Sequence, residues 1–170
     1  MFRLKLAIGV ISLCFTWSFT DSARATQFSS IVIDATTGRT LHQIRRALPH
    51  AELTGTDLSE AYLRQANRWL NSDNQGLVQF VRANAESLPL ASNSIQAATC
   101  VFLFHELPGE ARQNVINDAW RVLEPGGVFV IADSVQLADS PQFSTAMENF
   151  RRVFHEPYYR DYIEIGRAHV

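Results

Sequence analysis

The chain has 170 residues, 46% hydrophobic and 19% charged, a balance that suits one packed domain and excludes wholesale disorder. Its net charge is −2 at pH 7, and with no Lys/Arg run it offers no electrostatic grip on nucleic acid. Cys14 and Cys100 are the two cysteines; they form no CxxC pair and no ligand spacing with the histidines, so neither a disulfide framework nor a bound metal is expected.

In chain order, Met1 to Lys5 carries two positive charges, Leu6 to Phe19 is uncharged and mostly apolar, and Ala23-Arg24-Ala25 supplies small residues. Residues 1–25 therefore read as a secretory-signal-like leader or as a mistranslated segment joined to an intracellular domain. Either way the run is too short for a stable membrane span. A genuine leader implies secretion, with the mature chain starting at Thr26; the other reading implies a cytoplasmic or plastid protein.

Residues 27–163 read as the folded domain. Ile31-Val32-Ile33 is a short buried strand. Thr40 to Leu48 has a helical apolar stripe at Leu41, Ile44 and Leu48, stopped by Pro49. Ala51 to Thr56 is a second strand. Ser59 caps a helix whose apolar face is Tyr62, Leu63, Ala66, Trp69 and Leu70. Asn71 to Gly76 is a turn, and Leu77 to Val81 a third strand. Ile95 to Phe104 is apolar enough for a strand covered on both faces. Pro108 starts a helix carrying Ala111, Val115, Ile116, Ala119, Val122 and Leu123, which Pro125-Gly126-Gly127 breaks before a fifth strand, Val128 to Ala132. A last helix runs from Phe143 to Phe154 with Met147, Phe150 and Phe154 aligned.

Strands alternating with amphipathic helices predict an α/β fold with a doubly wound, mainly parallel sheet. Ligands of such sheets sit beyond the carboxyl ends of the strands, which makes the residues after each strand the candidates. Asp34 ends the first strand and leads to Gly38, where a glycine permits close backbone approach ahead of a helix N-terminus. Asp57 follows the second strand, 19 residues beyond Gly38, a position from which an acid accepts hydrogen bonds from ribose hydroxyls; the plain alternative is that it caps the next helix. Asn84 follows the third strand and has a side chain able to read an adenine edge. Phe102 and Phe104 end the fourth; one is expected in the core and the other free to wall off a cation. His105 and Glu106 are the acid–base candidates, with a hydrogen-bonded structural pair as the alternative.

Three segments carry a resemblance: Leu53-Thr54-Gly55-Thr56-Asp57-Leu58-Ser59, Ala83-Asn84-Ala85-Glu86-Ser87-Leu88-Pro89 and Arg121-Val122-Leu123-Glu124-Pro125-Gly126-Gly127. Over Thr37 to Tyr162 the chain resembles class I S-adenosylmethionine-dependent methyltransferases, especially those similar to quinone-biosynthesis C-methyltransferases. The resemblance implies a Rossmann-like methyltransferase fold, S-adenosyl-L-methionine as methyl donor and a small-molecule acceptor. It also implies that Asp57 binds both ribose hydroxyls, Leu58 packs on adenine, Asn84 and Ala85 meet the adenine edge, and Phe102 lies near the methionine portion. Tyr158 and Tyr159 would help to cover the substrate.

The sequence departs from that family in two places. The first loop, Asp34-Ala35-Thr36-Thr37-Gly38, matches the glycine-rich family loop only at its last glycine. The family sheet continues through further strands, and residues 164–170 read as a non-native tail, translated adapter sequence. A sheet lacking those strands leaves the fifth strand as an edge. Two other readings compete: a non-catalytic methyltransferase-like fragment, and a nicotinamide-dependent dehydrogenase, which lacks its Gly-x-Gly-x-x-Gly signature here.

Overall fold

Short runs of β-branched and small apolar residues build a sheet in which every strand is parallel to its neighbours. The computed structural model describes residues 5–6, 30–34, 38–71 and 78–165. Its strands are β1 (Lys5–Leu6), β2 (Ser30–Asp34), β3 (Glu52–Asp57), β4 (Val78–Arg82), β5 (Ile95–Val101) and β6 (Leu123–Ala132). Their order across the sheet is β1-β6-β5-β2-β3-β4, all pairs parallel. The chain winds outward from β2 to β4, then crosses back to β5 and β6. The switch point of this doubly wound α/β fold thus lies between β2 and β5. Helices α1 (Arg39–Ala47), α2 (Glu60–Leu70), α3 (Gly109–Val122), α4 (Ser144–Phe154) and α5 (Tyr159–Ile163) supply the other layers. None of the described helices is long and apolar enough to cross a membrane.

The helical stripes bury as their spacing requires. Leu41 of α1 is fully buried, with Leu63 and Leu70 of α2, against Leu53 and Val78 of the sheet, and Ala66 of α2 is fully buried as well. Ala111, Val115, Ala119 and Val122 of α3 are buried. Each fully buried Leu or Val contributes about 1.5–3 kcal/mol. Ser59 caps α2 as expected, its hydroxyl accepting from the Tyr62 N–H at 3.4 Å.

The structure corrects several boundaries. β5 stops at Val101, and Phe104–Glu106 forms a single 3-10 turn. Leu123 belongs to β6, not to the preceding helix. Pro125-Gly126-Gly127 does not precede the strand but bulges out of it: Ile95 pairs with Leu123, and Ala97 with Val128. That bulge needs its glycines. Gly126 has φ +88°, and a Cβ on Gly127 would stand 2.9 Å from the Glu124 carbonyl oxygen and 3.1 Å from that of Gln96. Phe154, expected on the buried stripe of α4, is 60% exposed, whereas Met147 is buried. The strand β1 and the helix α5 are additions to the sequence reading. Over Val130 and Ile131, β6 is not a sheet edge, because Lys5 and Leu6 pair with it.

The proposed leader 1–25 apart from Lys5 and Leu6, the junction at Thr26, the loop 35–37, the turn beyond Asn71 and the tail beyond Ile165 lie outside the described residues.

Candidate functional site

The carboxyl ends of β2, β3, β4, β5 and β6 share one rim of the sheet. Along it, β5, β2, β3 and β4 are successive neighbours, so Phe102 after β5 and Asp57 on β3 are two strand spacings apart, about 10 Å. Asp34 closes β2 between them.

Asp57 does two things at the tip of β3. Its Oδ1 accepts the Ser59 N–H at 2.7 Å, which sets the start of α2, and its carbonyl accepts the Ala83 N–H at 3.1 Å, which ties the tip of β4 beside it. The helix-capping alternative is therefore realised through one oxygen. The next residue, Leu58, is 61% exposed, held by the Arg82 Nε–H donating to its carbonyl at 3.1 Å.

Beyond β4, Asn84 is exposed, but its amide is engaged within its own turn. Its Oδ1 accepts from the Glu86 N–H at 3.0 Å, and its Nδ2 donates to the Glu86 carboxylate at 3.4 Å. The side chain expected to read a base edge also shapes the loop. Ala85 is half-buried and packs against the cluster that holds Cys100, Phe104 and Val115. It also lines an apolar pocket of about 30 Å³, with Thr56, Leu88, Cys100, Leu103 and Val115. Gly38 adopts φ +74° at the start of α1, where a Cβ would stand 3.1 Å from that of Ala66 and 3.3 Å from Leu70 Cδ1. Its closest approach is to α2, so this glycine joins two helices.

Phe102 is the most unusual residue of the rim. Its N–H donates to the Ala132 carbonyl at 2.9 Å, and its backbone then turns left-handed, with φ 58°. A residue with a Cβ pays about 1–2 kcal/mol for that conformation, and such strain collects at functional sites. The turn leaves Phe102 43% exposed while Phe104 is 6% exposed in the core, the division between the two rings that the sequence suggested.

His105 does not pair with Glu106. Its Nδ1 meets Oδ1 of Asp133 at 2.5 Å, and both residues are buried. Asp133 follows β6 and is itself held by the Phe104 N–H at 2.7 Å and the Ser134 N–H at 2.6 Å. Burial would lower the imidazole, but the Asp133 hydrogen bond and charge, with Glu106 and Glu156, outweigh it and hold the ring above its ordinary value. Phe102, Phe150, Tyr159 and Tyr162 stand edge-on around the ring at centroid distances of 5.7 to 6.3 Å. Tyr159 is thus a core residue, its hydroxyl on Ser134 Oγ at 2.6 Å, and only Tyr158 is exposed as a substrate-covering ring would be. The Glu106 carboxyl is pushed up, first by burial and then by the charge of Glu156, with smaller contributions that include Asp57. Carboxylates from β3, the 3-10 turn, the end of β6 and the α4–α5 turn therefore feel one another across the rim.

The sequence reading missed Asp133, Arg112 and Glu156. Asp133 follows a predicted strand and was accessible to the rule that found Asp57. Arg112 carried no local signal, and Glu156 none beyond its place in the stretch Phe154 to Arg160, which resembles part of the methyltransferase family.

Residues 33–127, more than half of the chain, match the family model described as a methyltransferase domain. The ubiquinone/menaquinone biosynthesis C-methyltransferase UbiE of Syntrophotalea carbinolica is 35% identical over 107 residues, which cover 62% of this chain and 44% of that protein. The solved S-adenosylmethionine-dependent methyltransferase of Mesorhizobium loti superposes with TM-score 0.50 at 23% identity, over 61% of this chain and 45% of that one. The [4+2]-cyclase SpnF superposes with TM-score 0.58 at 24% identity, over 64% and 39%. At these identities the structural likeness is one of fold, and the cyclase shows that the fold alone does not fix a reaction. The chain spans less than half the length of the curated relatives it matches.

Proposed function

The chain belongs to the class I S-adenosylmethionine-dependent methyltransferases, and from that premise we propose that it transfers a methyl group from S-adenosyl-L-methionine to a small-molecule acceptor. The observation that carries the reading is the rim itself. An acid, Asp57, and an aromatic side chain in a strained turn, Phe102, close strands two spacings apart on either side of the switch point. The residues fit the donor on physical grounds. Asp57 has a second carboxylate oxygen beyond the one that starts α2, suited to ribose hydroxyls. Leu58 offers an exposed apolar face for a purine. Phe102 presents a π-face, and the surrounding carboxylates favour a cation.

The donor, when bound, supplies an activated methyl on a sulfonium. In-line displacement then asks the protein mainly for alignment and exclusion of water. Asp57 and Leu58 orient the nucleoside end, and Phe102 limits the room around the reacting end. Asn84 contributes through the loop it shapes, by placing Ala85, and not through its own amide. No proton step is assigned to His105 or Glu106. The quinone-biosynthesis relatives support an aromatic or quinone-like acceptor.

Calorimetric titration of the full chain with S-adenosylhomocysteine tests the reading. Binding in the micromolar range is expected; absence of heat at millimolar ligand refutes it and leaves a methyltransferase fold without donor binding. Transfer of labelled methyl to a panel of hydroxylated aromatics and quinols then identifies the acceptor class.

A further inference from the structure

Two glutamates that ought to repel are held together beside a buried histidine. Glu106 sits in the 3-10 turn after β5 and Glu156 in the turn between α4 and α5, 50 residues further along the chain. A ring nitrogen of His105 and one carboxylate oxygen from each glutamate all lie within 4.8 Å of one another. Among the described residues neither glutamate forms an ion pair with a Lys or Arg. Glu106 is exposed and Glu156 half-buried.

What holds the two turns together is Arg112, and it does so through backbone. Its Nε–H donates to the Phe104 carbonyl at 2.9 Å and the Leu107 carbonyl at 2.9 Å, and its NH2 group donates to the Tyr158 carbonyl at 3.2 Å. The guanidinium also lies over the Tyr162 ring, 5.4 Å from its centroid. Arg112 thus bolts the turn of Glu106 to the segment after Glu156 without neutralising either carboxylate. His155, immediately before Glu156, takes φ 57°. With Phe102, the residues flanking this cluster include two strained left-handed backbones.

His105 is the buried member of the cluster. It is 6% exposed, and Asp133 engages its Nδ1, so Nε2 is the nitrogen left to bind. A buried carboxylate on one imidazole nitrogen, fixing the ring so that the other is presented, is the outer-shell arrangement of metal-ligating histidines. Asp133 is in turn fixed by two backbone N–H groups, which makes the orientation rigid.

We propose that His105, Glu106 and Glu156 form a binding site for one divalent first-row cation, of the Mn²⁺ or Zn²⁺ kind, with Asp133 as the residue that orients the imidazole. One nitrogen and two carboxylate oxygens suit such ions, the remaining positions being left to water or a substrate oxygen. Ligand atoms about 2.1 Å from one ion stand no more than about 4.2 Å apart, so small rotations of the glutamate side chains close the site. Its place on the rim next to Phe102 puts the ion where an oxygen-bearing acceptor would be polarised; that consequence rests on the methyl-transfer reading, whereas the site does not.

The test uses the full chain, stripped with chelator and free of any nucleoside. Mn²⁺ is added and followed by its free-ion electron paramagnetic resonance signal. Loss of that signal in proportion to one ion per chain is expected at about 0.1 mM of each. Glu106→Gln and Glu156→Gln, both outside the core, should each weaken binding at least about tenfold. Glu148→Gln, on the exposed face of α4, should leave it unchanged, and Zn²⁺ should displace Mn²⁺. An undiminished free-ion signal overturns the proposal. So does binding that survives either rim substitution, since the site needs both carboxylates. A chain that binds Mn²⁺ but not S-adenosylhomocysteine loses the methyl-transfer reading and keeps this one, and the converse result separates them the other way.

Discussion

Phe102 offers a test in which stability and binding respond differently to two nearly identical substitutions. The side chain is 43% exposed, so somewhat over half of an aromatic surface of about 200 Å² is buried, worth about 3 kcal/mol. Phe102→Ala and Phe102→Gly both forfeit that amount. They differ in the backbone, because φ 58° costs an alanine about 1–2 kcal/mol and a glycine almost nothing. Glycine gives back about 0.5–1 kcal/mol through its freer unfolded chain. The glycine variant should therefore be the more stable of the two by about 0.5–1 kcal/mol, or about 1–4 °C in Tm for a domain of this size. Urea titration of both variants measures the difference, and calorimetry with S-adenosylhomocysteine measures binding, which both should weaken. If alanine equals or exceeds glycine, β5 does not end in a left-handed turn. If either variant binds the nucleoside as tightly as the parent, the ring does not line the donor site.

Three further outcomes follow from named contacts. Asp57→Asn keeps an Oδ1 acceptor for the Ser59 N–H but loses the charge, so Tm should hold within about 2 °C while S-adenosylhomocysteine affinity falls about 10- to 100-fold; equal losses in both would mark Asp57 as a helix cap alone. Arg112→Met strands three carbonyls and should cost about 3 kcal/mol or more in urea unfolding; a change under about 1 kcal/mol would remove Arg112 as the bolt between the two turns. Burial, then the charge of Asp133, pushes the Tyr162 phenol above its ordinary value. Between those two values the unfolded chain has released a proton that the folded chain retains. Stability is therefore intact below about pH 10 and falls above it. Tyr162→Phe should flatten urea midpoints between about pH 9 and about pH 11, and identical slopes in parent and variant would refute the assignment.

The fold was legible because its signals are local and repeated. Leu41, Leu63, Ala66 and Leu70 recur at helical spacing and are buried, and Ser59 caps the helix it was expected to cap. Boundaries failed where tertiary pairing overrode a local cue. Pro125-Gly126-Gly127 is a breaker by composition, yet the register of β5 against β6 carries the strand through it, from Leu123 opposite Ile95 to Val128 opposite Ala97. The helix α5 escaped notice because its five residues are too few to show a period, and its place is set by the hydrogen bond of the Tyr162 hydroxyl to the Ser134 carbonyl at 3.0 Å.

The site was half legible for a related reason. Sequence position after a strand identifies which residues reach the rim, but it cannot say which partners meet there. It put Asp57 and Phe102 on the rim, each defined by its own strand. It paired His105 with Glu106 because they are adjacent in sequence, whereas the hydrogen bond of the imidazole goes to Asp133, 28 residues away, with a Glu106 oxygen only in the wider neighbourhood of the ring. Nor could it show that the Asn84 amide also closes its own turn. Motif spacing also records no neighbourhood of Glu106 and Glu156, 50 residues apart, whose turns Arg112 joins through the Phe104, Leu107 and Tyr158 carbonyls. A cluster assembled by a fold-spanning cation has no spacing for a motif to record. In a doubly wound sheet, acids that follow different strands therefore have to be considered as neighbours before those adjacent in sequence.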